Sequence, residues 1–158
     1  INLLSEAFGK AVEYRGKTYY AFPTLEELQG ISTEEISCCR AGFRCKYIYQ
    51  AVELLASKQV NLEEIEAMDI DSARNELMRI PGVGPKVADC IMLFSMGKHR
   101  AYPVDVWVKR VTEYFYLHRD VKMKDIQQFA KDKFGELAGF AQEYLFYFAR
   151  EFKINPDK

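Results

Sequence analysis

The sequence lacks an excess of either charge. Among its 158 residues, 22 Lys and Arg stand against 23 Asp and Glu, which leaves a formal net charge of −1. Composition therefore gives no overall attraction to nucleic acid, although it leaves a local basic patch open. No apolar run reaches the roughly 18–20 residues that span a bilayer, and no basic-then-apolar leader precedes a small-residue cleavage site. We expect neither a membrane segment nor a signal peptide.

Cysteine is scarce, and its spacing excludes the usual metal sites. The four cysteines are Cys38, Cys39, Cys45 and Cys90. They form no C-x-x-C pair, and the two histidines do not stand at zinc-finger spacing. Reduced thiols in an intracellular protein are the simplest interpretation.

The spacing of apolar residues and of capping signals is typical of helices. Hydrophobic residues make up 49% of the chain, enough for a globular core. Capping signals predict helix starts after Thr24, Ser32, Asn61 and Asp71, and a longer amphipathic helix over residues 43–58. A small hairpin around "RGK", residues 15–17, is the one β-type signal. We expect one mostly α-helical domain over residues 1–158. The opening "INLLSEAFGK" lacks a methionine and is typical of the middle of a helix, so we expect an upstream part to be missing.

The stretch "LMRIPGVGPKVADC", residues 77–90, interrupts the helical pattern at residues 80–85. Glycines allow conformations closed to other residues and let a second backbone approach closely. A tight turn that leads into a helix N-terminus presents free amides, which suit a phosphate. The turn is either a phosphodiester grip, as in a helix-hairpin-helix, or only a tight interhelical connection. It is neither a dinucleotide fingerprint nor a P-loop, because the third glycine and the G-K-[ST] ending are absent.

Lys86 stands in the first turn of the helix that follows. Positive charge is disfavoured there, and a nucleophilic amine has to be neutral. The position alone favours a solvated surface lysine. Cys90 lies one turn further on the same face, where the position by itself favours a small buried hydrophobic residue over a reactive thiol.

Two further groups carry candidate chemistry. Asp105 in "YPVDVWVKR" follows Pro103 and opens a helix, so it is a good N-cap and also a candidate carboxylate beside Lys86. Gln142 and Phe146 lie at i and i+4 of one helix. An amide beside an aromatic ring could bind a flat base by hydrogen bonds and stacking, but the spacing also fits a helix with one polar edge.

Taken together, "LMRIPGVGPKVADC", "AYPVDVW", "GFRCKYI" and "GFAQEYLF" resemble the helix-hairpin-helix Gly/Pro-Asp DNA glycosylases, and within them the 8-oxoguanine DNA glycosylase branch. The resemblance runs over nearly the whole chain. It implies a mostly α-helical, multi-helix glycosylase domain without the family's N-terminal β-domain. It also implies a bifunctional enzyme that flips 8-oxoguanine out of duplex DNA, excises it and nicks the strand as an AP lyase.

The resemblance assigns the reaction and the base pocket. Lys86 matches the lysine that attacks C1′, and Asp105 the aspartate that stabilises the developing positive sugar. Cys90 matches the thiol under the flipped base, and Phe146 the ring on its other face. Gln142 matches the glutamine on the Watson–Crick edge.

The resemblance also assigns the DNA contacts. Arg44 matches an arginine that binds the opposite cytosine, and Phe43 an aromatic wedge in the base stack. Backbone amides that bind phosphate are implied for Gly82, Gly84 and Val87.

The remaining implied contacts concern one phosphate and an ion. Trp107 stands where vertebrate relatives carry a histidine near a phosphate, so that contact is altered here. Carbonyls of Met78, Ile80 and Val83 would hold a structural K⁺ or Na⁺ ion. No cofactor is required, and no iron–sulfur cluster is expected because no cysteine follows Cys90.

The expected partner is double-stranded DNA containing 8-oxoguanine, bound by a monomer in the bacterial cytoplasm or a nucleus. Two alternatives stay open. One is a non-catalytic helix-hairpin-helix module that only binds DNA, and the other is a glycosylase for a different lesion.

Overall fold

A computed structural model describes residues 1–153 of the chain. The described part is mostly helical, as predicted. Its helices are α1 (Asn2–Phe8), α2 (Leu25–Leu28), α3 (Thr33–Ile36), α4 (Cys45–Ala56), α5 (Leu62–Ala67), α6 (Ile70–Leu77), α7 (Pro85–Ser95), α8 (Val106–Thr112), α9 (Met123–Phe134) and α10 (Ala138–Glu151). Short 3₁₀ turns cover Ser37–Cys39, Gly42–Arg44 and Gly135–Leu137, and a π-helical turn, Glu113–Leu117, continues α8.

The small hairpin predicted near the N-terminus is present. Strands β1 (Ala11–Tyr14) and β2 (Lys17–Tyr20) pair antiparallel, with Val12 opposite Tyr19. The two turn residues, Arg15 and Gly16, both have positive φ angles, of 50° and 71°. Such angles match the twist of a two-residue hairpin turn.

Capping side chains set most of the predicted helix starts. Thr24 and Glu27 form a reciprocal capping box, and Ser32 and Glu35 form a second one. Asn61 accepts from the amide of Glu63 at 3.1 Å. These three starts are confirmed.

Two predicted helix boundaries are wrong. Helix α6 is capped by Asp69, whose Oδ1 accepts from the amides of Asp71 at 3.0 Å and Ser72 at 3.1 Å. The cap therefore lies two residues before Asp71, the predicted cap, because the earlier carboxylate already satisfies the free amides. Helix α4 covers Cys45–Ala56 rather than residues 43–58, since its first turn is the 3₁₀ turn Gly42–Arg44.

The chain folds into two compact units. The first comprises Ile1–Glu64 with Arg79–Gly82, and the second Ile65–Met78 with the described residues from Val83 onward. In the first unit α4 packs against α2 and α3. Its apolar centre is small and contains Leu4, Leu28 and Val52.

The second unit holds the larger core and most of the predicted site residues. Helix α10 packs against α8 and α9, and α6 packs against α7. Buried side chains from α8, α9, α10 and the segment before α8 form one cluster: Tyr102, Val104, Val108, Ile126, Ala130 and Ala138. No described helix is long and apolar enough to cross a membrane.

Candidate functional site

The glycine hairpin has one glycine that the fold requires and one that it does not. Gly82 has a φ angle of +87°, and a Cβ built there would lie 2.7 Å from Cγ of Tyr47. Gly84 has an extended backbone, with φ −96° and ψ 179°, and open space where a Cβ would be. The chain's own packing therefore explains Gly82 but leaves the surface beside Gly84 free for an approaching group.

Lys86 occupies the second position of α7 and is exposed. The first intrahelical bond of α7 runs from the amide of Ala88 to the carbonyl of Gly84, at 2.9 Å. The amides of Lys86 and Val87 precede that bond, so the helix itself provides no acceptor for them. Cys90 lies one turn further along α7 and is partly buried. The hairpin thus leads directly to an exposed amine beside free amides.

Asp105 is the N-cap of α8, as its position predicted. Its Oδ1 accepts from the amides of Trp107 at 2.9 Å and Val108 at 2.8 Å. Both cap bonds use Oδ1, and the side chain is only partly buried. The cap holds the carboxylate in one orientation and leaves Oδ2 outside the cap. Structural and catalytic roles are therefore compatible at this residue.

Gln142 and Phe146 lie on α10, which is fixed by a close backbone contact at its start. The amide of Gly139 donates to the carbonyl of His99 at 2.7 Å, and a Cβ at Gly139 would overlap Leu93. Gln142 is 5% exposed, yet its Oε1 has no hydrogen-bond partner among residues 1–153. Phe146 packs against the core cluster of this unit.

An unpaired buried amide oxygen is unusual in a folded protein, and leaving one costs roughly 1–3 kcal/mol. The Gln142 carboxamide therefore keeps a buried acceptor oxygen that the described residues do not satisfy.

Phe43 and Arg44 lie in the first unit, in the turn that precedes α4. Phe43 is 66% exposed, and the Arg44 guanidinium carbon lies 4.8 Å from the centre of its ring. Tyr47 meets the same ring edge-on at 6.1 Å. An exposed aromatic ring held between a cation and a second ring suits a stacking role, which stays a prediction.

The other predicted positions lie where the sequence placed them. Trp107 follows Asp105 on α8, with the Arg110 guanidinium carbon 5.4 Å from its ring. Met78 follows α6 and is 40% exposed, whereas Ile80 is buried. Val83 is partly buried. The roles of these residues stay predictions.

Sequence reasoning missed a buried polar network at Asp89. This carboxylate is fully buried and accepts from Nε of Arg74 at 2.7 Å and from Nε2 of Gln127 at 2.8 Å. Burial raises the pKa of Asp89, and the bond from Arg74 moderates that rise. The signal was present in the sequence, because Asp89 falls between the core residues Ala88 and Met92 on the buried face of α7.

A second missed group surrounds Lys109. Its ammonium pairs with Glu113, on the π-helical turn, and with Asp120. The bonds to Asp120 and Glu113 raise the pKa of Lys109. Glu113 also accepts from the amide of Val121 at 2.8 Å, so the group ties α8 to the segment before α9.

Comparison with known proteins identifies the same hairpin segment. The family model described as "Helix-hairpin-helix motif" matches residues 69–94, which span the Asp69 cap, α6, the glycine hairpin and nearly all of α7. The chain is 35% identical over 162 residues to a protein of Methanothermobacter thermautotrophicus named "Probable N-glycosylase/DNA lyase". That alignment covers 90% of the chain and 52% of the relative.

Two further proteins are similar. "N-glycosylase/DNA lyase OGG1" of Arabidopsis thaliana is 34% identical over 142 residues, covering 83% of the chain and 39% of the relative. A crystal structure of Clostridium acetobutylicum 8-oxoguanine glycosylase/lyase, in complex with DNA containing cytosine opposite 8-oxoG, superimposes with a TM-score of 0.92 at 49% identity. It covers 98% of the chain and 53% of that protein.

The chain spans about half the length, or less, of these relatives. The chain belongs to the helix-hairpin-helix Gly/Pro-Asp family of DNA glycosylases, in the 8-oxoguanine DNA glycosylase branch.

Proposed function

We propose that this chain carries the catalytic centre of a base-excision repair enzyme that removes 8-oxoguanine from duplex DNA and then nicks the strand. The single observation that carries the proposal is the exposed Lys86 at the second position of α7, directly after a hairpin whose Gly84 leaves open space. A turn that only connects two helices needs neither the amine nor the space.

Lys86 is the proposed nucleophile. Its neutral amine attacks C1′ of the damaged nucleotide as the glycosidic bond breaks, and the resulting Schiff base permits β-elimination of the 3′ phosphate. One residue then accounts for both base removal and strand cleavage. Lys86 is exposed, as an amine that has to reach a DNA backbone must be.

Asp105 is the proposed electrostatic partner. Cleavage of the glycosidic bond builds positive charge on the sugar, and a fixed carboxylate stabilises that charge without having to reorganise. The two cap bonds to Oδ1 hold the carboxylate still, and Oδ2 lies outside the cap.

Gln142, Phe146 and Cys90 are proposed to bind the flipped base. The unpaired Oε1 of Gln142 offers a hydrogen-bond acceptor in a buried setting, where a base N–H would satisfy it. Phe146 offers a ring that is anchored on the core. Cys90 would contact the opposite face of the base.

The hairpin is proposed to bind the DNA backbone. The amides of Gly82, Gly84 and Val87 would donate to phosphate, helped by the positive end of α7. Oxygen donors suit an alkali-metal ion, so the carbonyls of Met78, Ile80 and Val83 would hold K⁺ or Na⁺ and fix the turn.

On the other strand, Arg44 would contact the base opposite the lesion and Phe43 would fill the stack. Trp107 would lie near a phosphate. The enzyme would act as a monomer on double-stranded DNA, without an iron–sulfur cluster, wherever the genome is: the bacterial cytoplasm or, in a eukaryote, the nucleus.

Borohydride trapping tests the proposal. With a duplex that contains 8-oxoguanine opposite cytosine, the parent chain is expected to form a covalent adduct and to nick the strand. Lys86→Gln is expected to lose both while still binding the duplex. Lys131→Gln, at an exposed lysine of α9 outside the proposed site, is the matched control and should trap like the parent.

Other results of the trapping experiment would indicate a different function. A parent that binds the duplex without trapping or nicking would indicate a non-catalytic binding module. Trapping that requires a different damaged base would indicate another lesion specificity. Retained trapping in Lys86→Gln would refute the assigned nucleophile.

A further inference from the structure

Asp89 is a charged residue at a position where α7 is otherwise apolar. Its neighbours on that face, Ala88, Met92 and Leu93, are buried in the core. The side chain of Asp89 is 0% exposed. A lone carboxylate in such a place is costly, so it is retained only with partners that satisfy both of its oxygens.

The two oxygens of Asp89 connect three helices. Oδ1 accepts from Nε of Arg74, on α6, at 2.7 Å, and Oδ2 accepts from Nε2 of Gln127, on α9, at 2.8 Å. Arg74 also pairs with Asp71 on its own helix, whose Oδ1 lies 2.7 Å from Nη1, but Asp71 is 83% exposed and such a pair contributes little to holding the guanidinium. The first helix of the hairpin is therefore tied to the second through one directional, charged pair.

Directional bonds are what apolar packing alone lacks. Hydrophobic contacts are non-directional, so the polar bonds of Asp89 add a constraint on the rotation of α7 about its own axis to the one that core packing already provides. A rotation of about 20° moves a Cα at the helix radius of about 2.3 Å by about 0.8 Å, and it moves the end of a long side chain further. Lys86 and Cys90, on either side of Asp89 in sequence, would both be displaced.

We propose that Asp89 is a positioning residue for Lys86: its bonds to Arg74 and Gln127 set the rotation of α7 and so the direction from which the amine reaches C1′. The inference rests on the proposed function and adds a residue to it. A misplacement of about 1 Å in a reacting group can cost about 100-fold in rate. Binding of DNA to the hairpin amides depends far less on the direction of one side chain.

The test is the single-turnover excision rate of Asp89→Asn, measured beside its DNA dissociation constant. Asparagine keeps the shape but loses the charge, and it replaces the acceptor oxygen that faces Gln127, or the one that faces Arg74, with an NH2 donor. We expect the rate to fall by about 10- to 100-fold, while the dissociation constant changes by less than about threefold. Gln127→Leu removes one of the two bonds and should lose an intermediate amount, so it provides a second variant if Asp89→Asn folds poorly.

Two controls separate positioning from general loss of structure. Met92→Ala leaves a cavity in the same helix without touching the polar bonds, and Asp71→Asn removes only the exposed partner of Arg74, which is 83% exposed. At a temperature where every variant is folded, both should retain the parental rate within about threefold. A loss in Met92→Ala as large as that in Asp89→Asn would overturn the inference.

The failure of this inference is distinguishable from failure of the proposed function. An active parent with an unaffected Asp89→Asn variant contradicts only the role of Asp89. If the parent itself excises nothing, the proposed function fails, and the rotation of α7 is read from maleimide labelling of Cys90 in the folded protein. A several-fold change in the Cys90 labelling rate in Asp89→Asn, absent in Asp71→Asn and Met92→Ala, supports the inference, and an unchanged rate overturns it.

Discussion

The two glycines of the hairpin should respond to the same substitution in opposite ways. Gly82→Ala places a methyl group at a φ angle of +87° and 2.7 Å from Cγ and Cδ2 of Tyr47. A residue held at such an angle costs roughly 1–3 kcal/mol, and forcing an extra carbon into a packed contact costs roughly 1–3 kcal/mol. We expect Gly82→Ala to lower the free energy of unfolding by about 2–6 kcal/mol.

Gly84→Ala is the matched control. Its φ of −96° suits any residue, and nothing lies within 4 Å of the added carbon. Removing a glycine from such a position is neutral or stabilises by up to about 1 kcal/mol, because the unfolded chain loses freedom. If a phosphate approaches the hairpin amides, however, the new methyl group lies on that surface. We therefore expect Gly84→Ala to keep its stability and to bind duplex DNA less tightly.

Urea unfolding measures the stability of both variants, and a DNA-binding titration measures the affinity of Gly84→Ala for duplex DNA. A double-mutant cycle with Tyr47→Ala separates the steric cost at Gly82 from the backbone cost, because only the former should be relieved. A Gly82→Ala protein with parental stability would refute the reasoning about the turn. A Gly84→Ala protein with parental DNA affinity would refute the phosphate grip while leaving the fold argument intact.

Three further predictions concern the site and the caps. Asp105→Asn should keep the α8 cap but excise 8-oxoguanine much more slowly, whereas Asp105→Ala should also lose about 1 kcal/mol of stability. If Asp105→Asn excises at the parental single-turnover rate, the role of Asp105 is purely structural. Phe146→Leu keeps the apolar packing but loses the ring. Since stacking is worth roughly 1–3 kcal/mol per base, the affinity for lesion-containing DNA should fall about 10- to 100-fold in a binding titration. Unchanged affinity would exclude base stacking at this position. Acid should weaken the fold: hydrogen bonds from the Ser32 amide and hydroxyl lower the pKa of Glu35, and those from the Ser72 hydroxyl and amide lower the pKa of Asp69. A carboxylate whose pKa is lower in the folded chain stabilises the fold at pH values above its unfolded pKa, which is 4.5 for Glu35 and 3.8 for Asp69. That stabilisation is lost as pH falls through the folded pKa. In urea unfolding, the free energy of unfolding should therefore fall less on acidification in Glu35→Gln and Asp69→Asn than in the parent, and an equal fall would contradict the cap assignment.

Local sequence determined the parts of this protein that depend on local chemistry. The capping pairs at Thr24 and Ser32, the two-residue turn at Gly16 and the cap at Asp105 all formed as predicted, because a side chain that bonds amides two or three residues away needs no tertiary partner. The same reasoning found the break at the glycine hairpin and placed Lys86 in the turn after it. Where two local caps competed, at Asp69 and Asp71, the pattern alone chose the wrong one.

Tertiary structure decided what depends on partners distant in sequence. Tyr47 is 35 residues from Gly82, so the reason for glycine there is visible only in the folded chain. The sequence did not decide whether Gln142 lies on a solvated edge of α10 or is a buried, unpaired amide. The packing of α10 decides it, and the hydrogen bond from Gly139 to His99 fixes that packing. Asp89 appeared in the sequence as one charge inside an apolar pattern, and only the fold brings Arg74 and Gln127 to it. Helical periodicity specifies which residues face inward, but not which polar groups they will meet there.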